Sequence, residues 1–197
     1  MTGPTVAALY VQRNGIYWNR PDIDAWDEQR DARLYDGSLP VVAHPPCSRW
    51  CRLAKQVEWR GGQRVGADGG TFASALANVR RCGGVLEHPA WSLAWAAHGL
   101  TAPAVSGWHL DTDGGWCCEV SQAAYGHLAP KKTWLYYVGR VPPPGLNWSN
   151  PKTGRVVTSY SRGKSNDGDG RALSSREASA TPPAFAELLL SMARNSR

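Results

Sequence analysis

The segment between residues 39 and 87 constrains the fold more strongly than any other part of the chain. Residues 39–43 form an apolar run typical of a buried strand, and residues 85–87 form a second one. Between them, residues 71–81 place small apolar side chains at helical spacing, with Thr71 as a candidate N-cap. A strand, a helix and a strand in this order favour parallel pairing through a right-handed crossover. The sequence therefore predicts an α/β fold.

The other segments add elements to the same sheet. The remaining predicted elements are a buried strand at 6–11, an antiparallel edge pair at 116–122 and 133–138, and helices at 174–179 and 182–194. Residues 24–34 are polar and predict a surface helix or an irregular connection. Residues 55–70, rich in Gly and Arg, predict a mobile basic loop.

These elements predict one domain with a Rossmann-like mixed sheet and an antiparallel edge pair. We expect residues 1–141 to form the catalytic α/β unit and residues 172–197 to close it with the C-terminal helices. Residues 142–171 are rich in Pro, Gly, Ser and Asn and carry several Lys and Arg side chains. This composition predicts a basic, largely irregular insertion that becomes ordered on a partner.

Composition narrows the classes of protein that fit. The formal charge of +6 and the ten tryptophans favour a polyanionic partner with bases available for stacking, such as DNA. Five cysteines, an odd number, argue against a disulfide framework. The first residues do not resemble a signal peptide, and no apolar run reaches the length of a membrane span. We therefore expect a cytoplasmic protein with reduced thiols and no membrane partner.

The turn after residues 39–43 is the strongest candidate for a reactive site. Two prolines, Pro45 and Pro46, restrict the backbone and deliver Cys47 at the carboxyl end of a predicted strand, where ligands of open α/β sheets bind. The basic side chains of Arg49 and Arg52 follow at once and would favour an activated thiol. A nucleophilic cysteine is the function that this pattern predicts, although a buried structural thiol would also fit.

Two further strand ends carry ionisable groups. Glu87 and His88 end the strand at 85–87, and Lys131 and Lys132 precede the strand at 133–138. If these ends meet, a thiolate, an acid and a cation are available for covalent addition to an electron-poor ring. Each residue also has a simpler interpretation: Glu87 could anchor a turn, and the lysines could be a solvated basic pair.

The ordered series of motifs resembles the DNA cytosine-C5 methyltransferase family. Pro45-Pro46-Cys47 is similar to that family's Pro-Cys nucleophile motif, and Glu87-His88-Pro89 is similar to its Glu-Asn-Val motif. Residues 122–139, with Tyr125-Gly126 and Lys131-Lys132, resemble the motif whose basic residues support the flipped base. Residues 173–177 and 182–187 resemble the two closing motifs. The matches keep the family's order and span most of the chain.

The resemblance implies that Cys47 adds to C6 of a flipped pyrimidine, that Glu87 assists at N3, and that Lys131 or Lys132 contacts the ring or a phosphate. It implies a methyltransferase-type sheet and S-adenosylmethionine as the cofactor, near Tyr10, Gly15 and Asp27. The DNA partner would be a duplex with a flipped base or a single strand. The candidate substrate- and DNA-binding residues are Pro46, Ser48, Arg49, Trp50, Arg52, His88, Gln122, Tyr125, His127, Arg155, Arg162 and Lys164.

Departures from the family's pattern leave other activities open. The family carries a Phe-x-Gly-x-Gly turn after its first strand, whereas residues 8–15 keep only Gly15. One alternative is therefore a transferase that works without S-adenosylmethionine and installs or exchanges a group on a C5-substituted pyrimidine of hypermodified viral DNA. Another is a degenerate relative that only binds DNA. Cys47 and Cys51 could instead belong to a zinc site, but no second ligand pair has suitable spacing, so we expect no metal.

Overall fold

The computed structural model describes residues 3–51, 53–103, 106–157 and 172–197. The strands are β1 (Val6–Leu9), β2 (Ile23–Trp26), β3 (Val41–Ala43), β4 (Gly84–Pro89), β5 (His109–Leu110), β6 (Trp116–Ser121) and β7 (Lys132–Val138). The helices are α1 (Ala54–Trp59), α2 (Thr71–Cys82), α3 (Leu93–Ala97), α4 (Ser175–Ser179) and α5 (Pro183–Arg194). No helix in these ranges is both long and apolar enough to cross a membrane.

The strands of the described residues form one mixed sheet in the order β2-β1-β3-β4-β7-β6-β5. Strands β1 to β4 are parallel to one another, and β7, β6 and β5 continue the sheet from β4 in antiparallel pairs. The predicted strand–helix–strand crossover is confirmed as β3-α2-β4. Gly84 is needed at the start of β4 because its φ is +121° and a Cβ there would lie 2.0 Å from the Val41 carbonyl oxygen.

Helices cover both faces of this sheet. On one face, Phe72, Leu76 and Val79 of α2 pack with Trp95 of α3 in the first core. On the other face, α5 buries Phe185 and its neighbours in a second core. Alternation along β6 places the adjacent thiols Cys117 and Cys118 in the first and the second core, respectively. Burial on both faces explains why the central strands are short, continuous apolar runs.

Four local predictions need correction. Strand β2 (Ile23–Trp26) overlaps the start of the polar segment 24–34, because it pairs with β1 at one edge of the sheet. Helix α1 occupies part of the predicted loop 55–70. Gly70, not Thr71, is the N-cap of α2, and the carboxylate of Asp68 accepts the Phe72 N–H instead. The pair β6–β7 is antiparallel as predicted, but β5 forms the edge.

The C-terminal elements match their predicted positions. Ser174 and Glu177 form a reciprocal capping box at the start of α4, and Pro183 lies in the first turn of α5. Residues 142–157 are irregular, as predicted for the described part of the basic insertion, and Val156 bridges to Ala172 beside α4.

Candidate functional site

The topology brings four strand ends to one edge of the sheet. The chain leaves β3 and β4 there, and antiparallel β7 begins there next to the end of β6. The turn after β3 is tight because the Cys47 carbonyl accepts the N–H groups of both Trp50 and Cys51, each at 2.9 Å. The Leu93 N–H donates to the Trp50 carbonyl at 2.8 Å and so ties this turn to the start of α3.

Glu87 lies at the centre of a buried hydrogen-bond network. Its Oε2 lies 3.0 Å from Nδ1 of His44, and its Oε1 accepts from Nε2 of Gln122 at 3.1 Å. Nε2 of His44 lies 3.0 Å from the Tyr17 hydroxyl, and Nε2 of Gln122 also donates to Thr133 Oγ1 at 2.9 Å. Both carboxylate oxygens therefore have a fixed partner, which fixes the plane of the carboxylate.

The network keeps Glu87 ionised. Burial by itself would raise the pKa of this carboxyl group, but the hydrogen bond from His44 and the charge of Lys131 outweigh burial and lower the pKa to about 2. Glu87 is 8% exposed, so the charge is held inside the protein by these partners. In the resting protein Glu87 is a hydrogen-bond acceptor.

Cys47 shares this site with Glu87 and Lys131. Burial raises the pKa of the Cys47 thiol, the negative charge of Glu87 raises it further, and Lys131 acts in the opposite direction. The cation that lowers the pKa is therefore Lys131 and not the predicted Arg49. These mutual effects place the three residues within electrostatic range, and the resting pair consists of a protonated thiol and a carboxylate.

The two adjacent lysines have different surroundings. The ammonium group of Lys132 pairs with Glu119 at 2.8 Å and lies 5.2 Å from the centre of the Trp91 ring. The Nζ of Lys131 instead donates to the Ala180 carbonyl at 3.5 Å, between α4 and α5. Of the predicted pair, Lys131 is the cation of the Cys47 site, and Lys132 is held elsewhere.

Several predicted binding residues support the site from inside the protein. Trp50 is buried, and its indole N–H donates to Asp68 at 2.8 Å, so its ring packs in the core and does not face a base. His88 is buried against Phe72 and Trp95, and burial lowers its pKa to about 4.

Three more predicted residues belong to the segment around β6. Gln122 is fully buried and orients Glu87. His127 is buried in a turn beside Ala129, and the Tyr125 hydroxyl accepts the Asn147 N–H. Their function in this structure is to hold the site and the start of the basic insertion. Sequence reasoning chose these positions for contact with the substrate, which the burial of Gln122 and His127 and the hydrogen bond of the half-buried Tyr125 do not favour.

The remaining predicted contact residues lie on the surface. Pro46 and Ser48 are exposed on the turn around Cys47, and Arg49 is half-buried beside them. Arg155 lies 3.9 Å from Glu177 and joins the basic insertion to α4. The predictions for Arg52, Arg162 and Lys164 lie outside the described residues.

Sequence reasoning missed His44 and Tyr17. His44 directly precedes the two prolines, so its position in the sequence was a usable signal, because a residue one step beyond β3 reaches the same edge as Cys47. Tyr17 had no such signal, since only the folded loop after β1 brings its hydroxyl to His44.

The predicted cofactor residues do not form a cradle for S-adenosylmethionine. Tyr10 follows β1 with a left-handed φ of 60°, at a position where a glycine would let the backbone approach a ligand. Gly15 closes a tight turn in which its N–H donates to the Gln12 carbonyl at 2.9 Å. Asp27 is 5% exposed, and its Oδ1 accepts the Arg30 N–H. Gly15 and Asp27 are thus occupied within the protein, and Tyr10 carries a large side chain where the family has a glycine, so the three residues do not fit the cofactor.

The thiols and carboxylates do not suggest a metal centre. All five cysteines are free, and within the described residues no group of three His, Cys, Asp or Glu side chains is arranged to hold a metal ion. Comparisons with models of known protein families, with curated proteins and with solved structures give no match.

Proposed function

We propose that this protein is a DNA pyrimidine-C5 modifying transferase in which Cys47 adds to C6 of an extruded base. The observation that carries the proposal is the grouping of Cys47, Glu87 and Lys131 at the carboxyl edge of the sheet. The sheet supports it, because parallel strands followed by an inserted antiparallel β7 agree with the methyltransferase-type arrangement that the motifs imply.

The addition step uses the thiolate form of Cys47. The Cys47 thiol releases its proton to water, because Glu87, with a pKa of about 2, does not take it up. The sulfur electron pair then forms the S–C6 bond, the C5=C6 pair moves to C4=C5, and the C4=N3 pair takes a proton from water. The carboxylate of Glu87 accepts the hydrogen bond of the new N3–H. Lys131 stabilises the thiolate before the addition. The product is an enamine whose C5 is nucleophilic.

A DNA substrate fits the positive charge of the protein, provided that the target base leaves the stack. C6 is inaccessible in a stacked duplex, so the base must be extruded, at a cost of a few kcal/mol. The net charge of +6 favours a polyanion, and Arg49 lies on the reactive turn. The basic residues Lys55, Arg60 and Arg64 follow on α1 and the next loop. Phosphate contacts of this kind position the strand without specifying its sequence.

The region around Tyr10, where the donor of the transferred group would bind, favours one form of the proposed activity over the other. Methyl transfer is the simplest use of a nucleophilic C5, but the residues around Tyr10 do not fit S-adenosylmethionine. The same addition also activates C5 toward another electrophile and assists departure of a group already attached there. Exchange of a substituent on a C5-modified pyrimidine, as in hypermodified viral DNA, therefore agrees better with this chain.

Exchange of hydrogen at C5 tests the addition without any knowledge of the donor. In D2O, a base that has Cys47 on C6 takes a deuteron at C5, loses the original proton and releases the thiolate. We expect deuterium at C5 of cytosine in DNA incubated with the protein, measured by mass spectrometry of the digested nucleosides. Exchange should disappear in Cys47→Ala and Cys47→Ser and persist in the matched control Cys51→Ser.

The outcomes separate the candidates. Absence of exchange with the unaltered protein, or exchange that persists in Cys47→Ala, would overturn the nucleophile. Binding of DNA without exchange would identify the protein as a DNA-binding relative that has lost the chemistry.

A further inference from the structure

Trp91 has a backbone conformation that is rare for a large side chain. Its φ is 61°, in the left-handed region that favours glycine, immediately beyond the end of β4. The neighbours impose this conformation: the Ala90 N–H donates to the Lys132 carbonyl at 3.0 Å, and Ser92 caps α3. Strain of this kind is typical of functional positions, where surrounding structure maintains it.

The strained residue presents its ring to solvent. Trp91 is 48% exposed, although indole is among the largest apolar side chains. The ammonium group of Lys132 lies over the ring at 5.2 Å from its centre, and Glu119 holds that ammonium group at 2.8 Å. The ring is therefore backed by a fixed cation while about half of the residue remains accessible.

The backbone that follows Trp91 is bonded to the Cys47 turn, whereas Trp91 is outside the Glu87 network. The Leu93 N–H, two residues after Trp91, donates to the Trp50 carbonyl of that turn. In β7, Thr133 contacts the Gln122–Glu87 network, and side chains alternate along a strand, so Lys132 lies on the opposite face of the sheet. Trp91 and Lys132 thus flank the reactive site without entering it.

We propose that Trp91, backed by Lys132, is a stacking platform for the nucleobase next to the extruded pyrimidine. This inference rests on the proposed function and adds a second contact with the DNA strand. Extrusion of one base leaves its neighbour without a stacking partner, and an exposed indole replaces that partner. Stacking on an aromatic face tolerates any base, which suits contacts that position a strand without specifying its sequence.

The experiment is a double-mutant cycle between protein and DNA. Binding of a fluorescein-labelled single strand is measured by anisotropy, with an intact strand and with a strand that has an abasic position beside the target pyrimidine. We expect Trp91→Ala to weaken binding of the intact strand by roughly 5- to 100-fold, and Trp91→Phe to retain most of the affinity. The strand with the abasic position lacks the base that Trp91 would stack on. Trp91→Ala should therefore bind this strand as tightly as the unaltered protein does.

Three controls separate stacking at Trp91 from an effect on folding, from the loss of any exposed indole and from a loss of charge. Trp91→Gly removes the ring and also relieves the left-handed strain, so it should unfold at a higher temperature than Trp91→Ala and bind equally weakly. Trp148→Ala removes another partly exposed indole, one that packs against Trp108, and should change the affinity less than about twofold. The salt dependence of binding should be unchanged by Trp91→Ala, because no phosphate contact is lost.

The inference is overturned if Trp91→Ala binds the intact strand like the unaltered protein, or if it weakens binding to both strands equally. The cycle is repeated in the Cys47→Ala background, where no addition occurs. Coupling that persists there, together with absent deuterium exchange in the unaltered protein, would support the platform and reject only the proposed chemistry.

Discussion

The turns after β1 and after β3 occupy equivalent positions at the carboxyl edge of the same parallel sheet, yet they differ in how their polar groups are used. After β3, His44 is bonded to Glu87, and the Cys47 thiol lies within electrostatic range of Glu87 and Lys131. After β1, Tyr10 and Gly15 form a self-contained turn, and Asp27 beyond β2 is bonded to a neighbouring backbone N–H.

A sheet edge thus provides a place for chemistry but not the chemistry itself. Groups that different strand ends bring to one site can act on the same substrate, as Cys47 and Glu87 do in our proposal. Groups that are satisfied within their own turn contribute stability only. The predictions below test whether the two turns are as different in function as they are in structure.

The largest expected effect is the pH dependence of C5 exchange. Because burial and Glu87 raise the pKa of Cys47 above its ordinary value of 9.0, the reactive thiolate is scarce near neutral pH. We expect the exchange rate to rise roughly tenfold per pH unit from about pH 6 to about pH 9. The measurement is deuterium incorporation across this range. In Cys51→Ser the curve should shift to lower pH, since Cys51 also raises the Cys47 pKa; a rate independent of pH would contradict the assignment.

The next prediction compares Glu87, at the thiol site, with Asp27, which follows β2 near the turn after β1. Glu87→Gln removes the negative charge that stabilises the protonated N3 in the addition step, so exchange should fall by roughly 10²- to 10³-fold. Asp27→Asn is the matched control, because an amide oxygen still accepts the Arg30 N–H, and it should exchange at the unaltered rate. Equal losses in both variants would remove the distinction between the two turns.

A smaller effect concerns stability in acid. The pKa of Glu87 is lowered from 4.5 to about 2 in the folded protein, so its ionised form stabilises the fold above about pH 4.5. That contribution, of about 3 kcal/mol, is lost as the pH falls from about 4.5 to about 2. The free energy of unfolding in urea, followed by tryptophan fluorescence, should therefore fall more steeply with acidity in the unaltered protein than in Glu87→Gln. Parallel curves for the two proteins would show that the network does not stabilise the charge.

The parallel centre of the fold could be predicted because its signals are local. The apolar run before Pro45, the helical spacing from Phe72 to Val79 and the glycines that end α2 each favour one structure by themselves. The polar strand β2 could not be predicted, because only its pairing with β1 makes Ile23–Trp26 extended. Tertiary pairing overrides the composition of a segment this short.

The candidate site was predictable only in part for the same reason. The grouping of Cys47, Glu87 and Lys131 could be predicted, because the strand ends can be located in the sequence and parallel strands end at the same edge of a sheet. Which lysine faces the thiol depends on strand alternation, and whether Trp50 or His88 is exposed depends on how α2 and α3 pack. The link from Tyr17 through His44 to Glu87 joins three distant segments and has no sequence pattern of its own.

The smallest expected effect is a thermal one, and it tests the turn after β1 directly. A ligand present at about 100 times its Kd stabilises a protein by about 2.7 kcal/mol, which raises the Tm of a chain of this length by several degrees. Because the Tyr10 turn does not fit S-adenosylmethionine, we expect millimolar cofactor to shift the Tm by less than about 1 °C.

The variant Tyr10→Gly tests whether the Tyr10 side chain is what prevents the turn after β1 from binding the cofactor. It removes the side chain and relieves the left-handed backbone, so a shift that appears only in this variant would identify Tyr10 as the obstacle. A shift of several degrees in the unaltered protein that Asp27→Asn abolishes would mean that the first turn binds the cofactor after all. Methyl transfer would then become the better form of the proposed activity, since the thiol site is common to both forms and only the donor end distinguishes them.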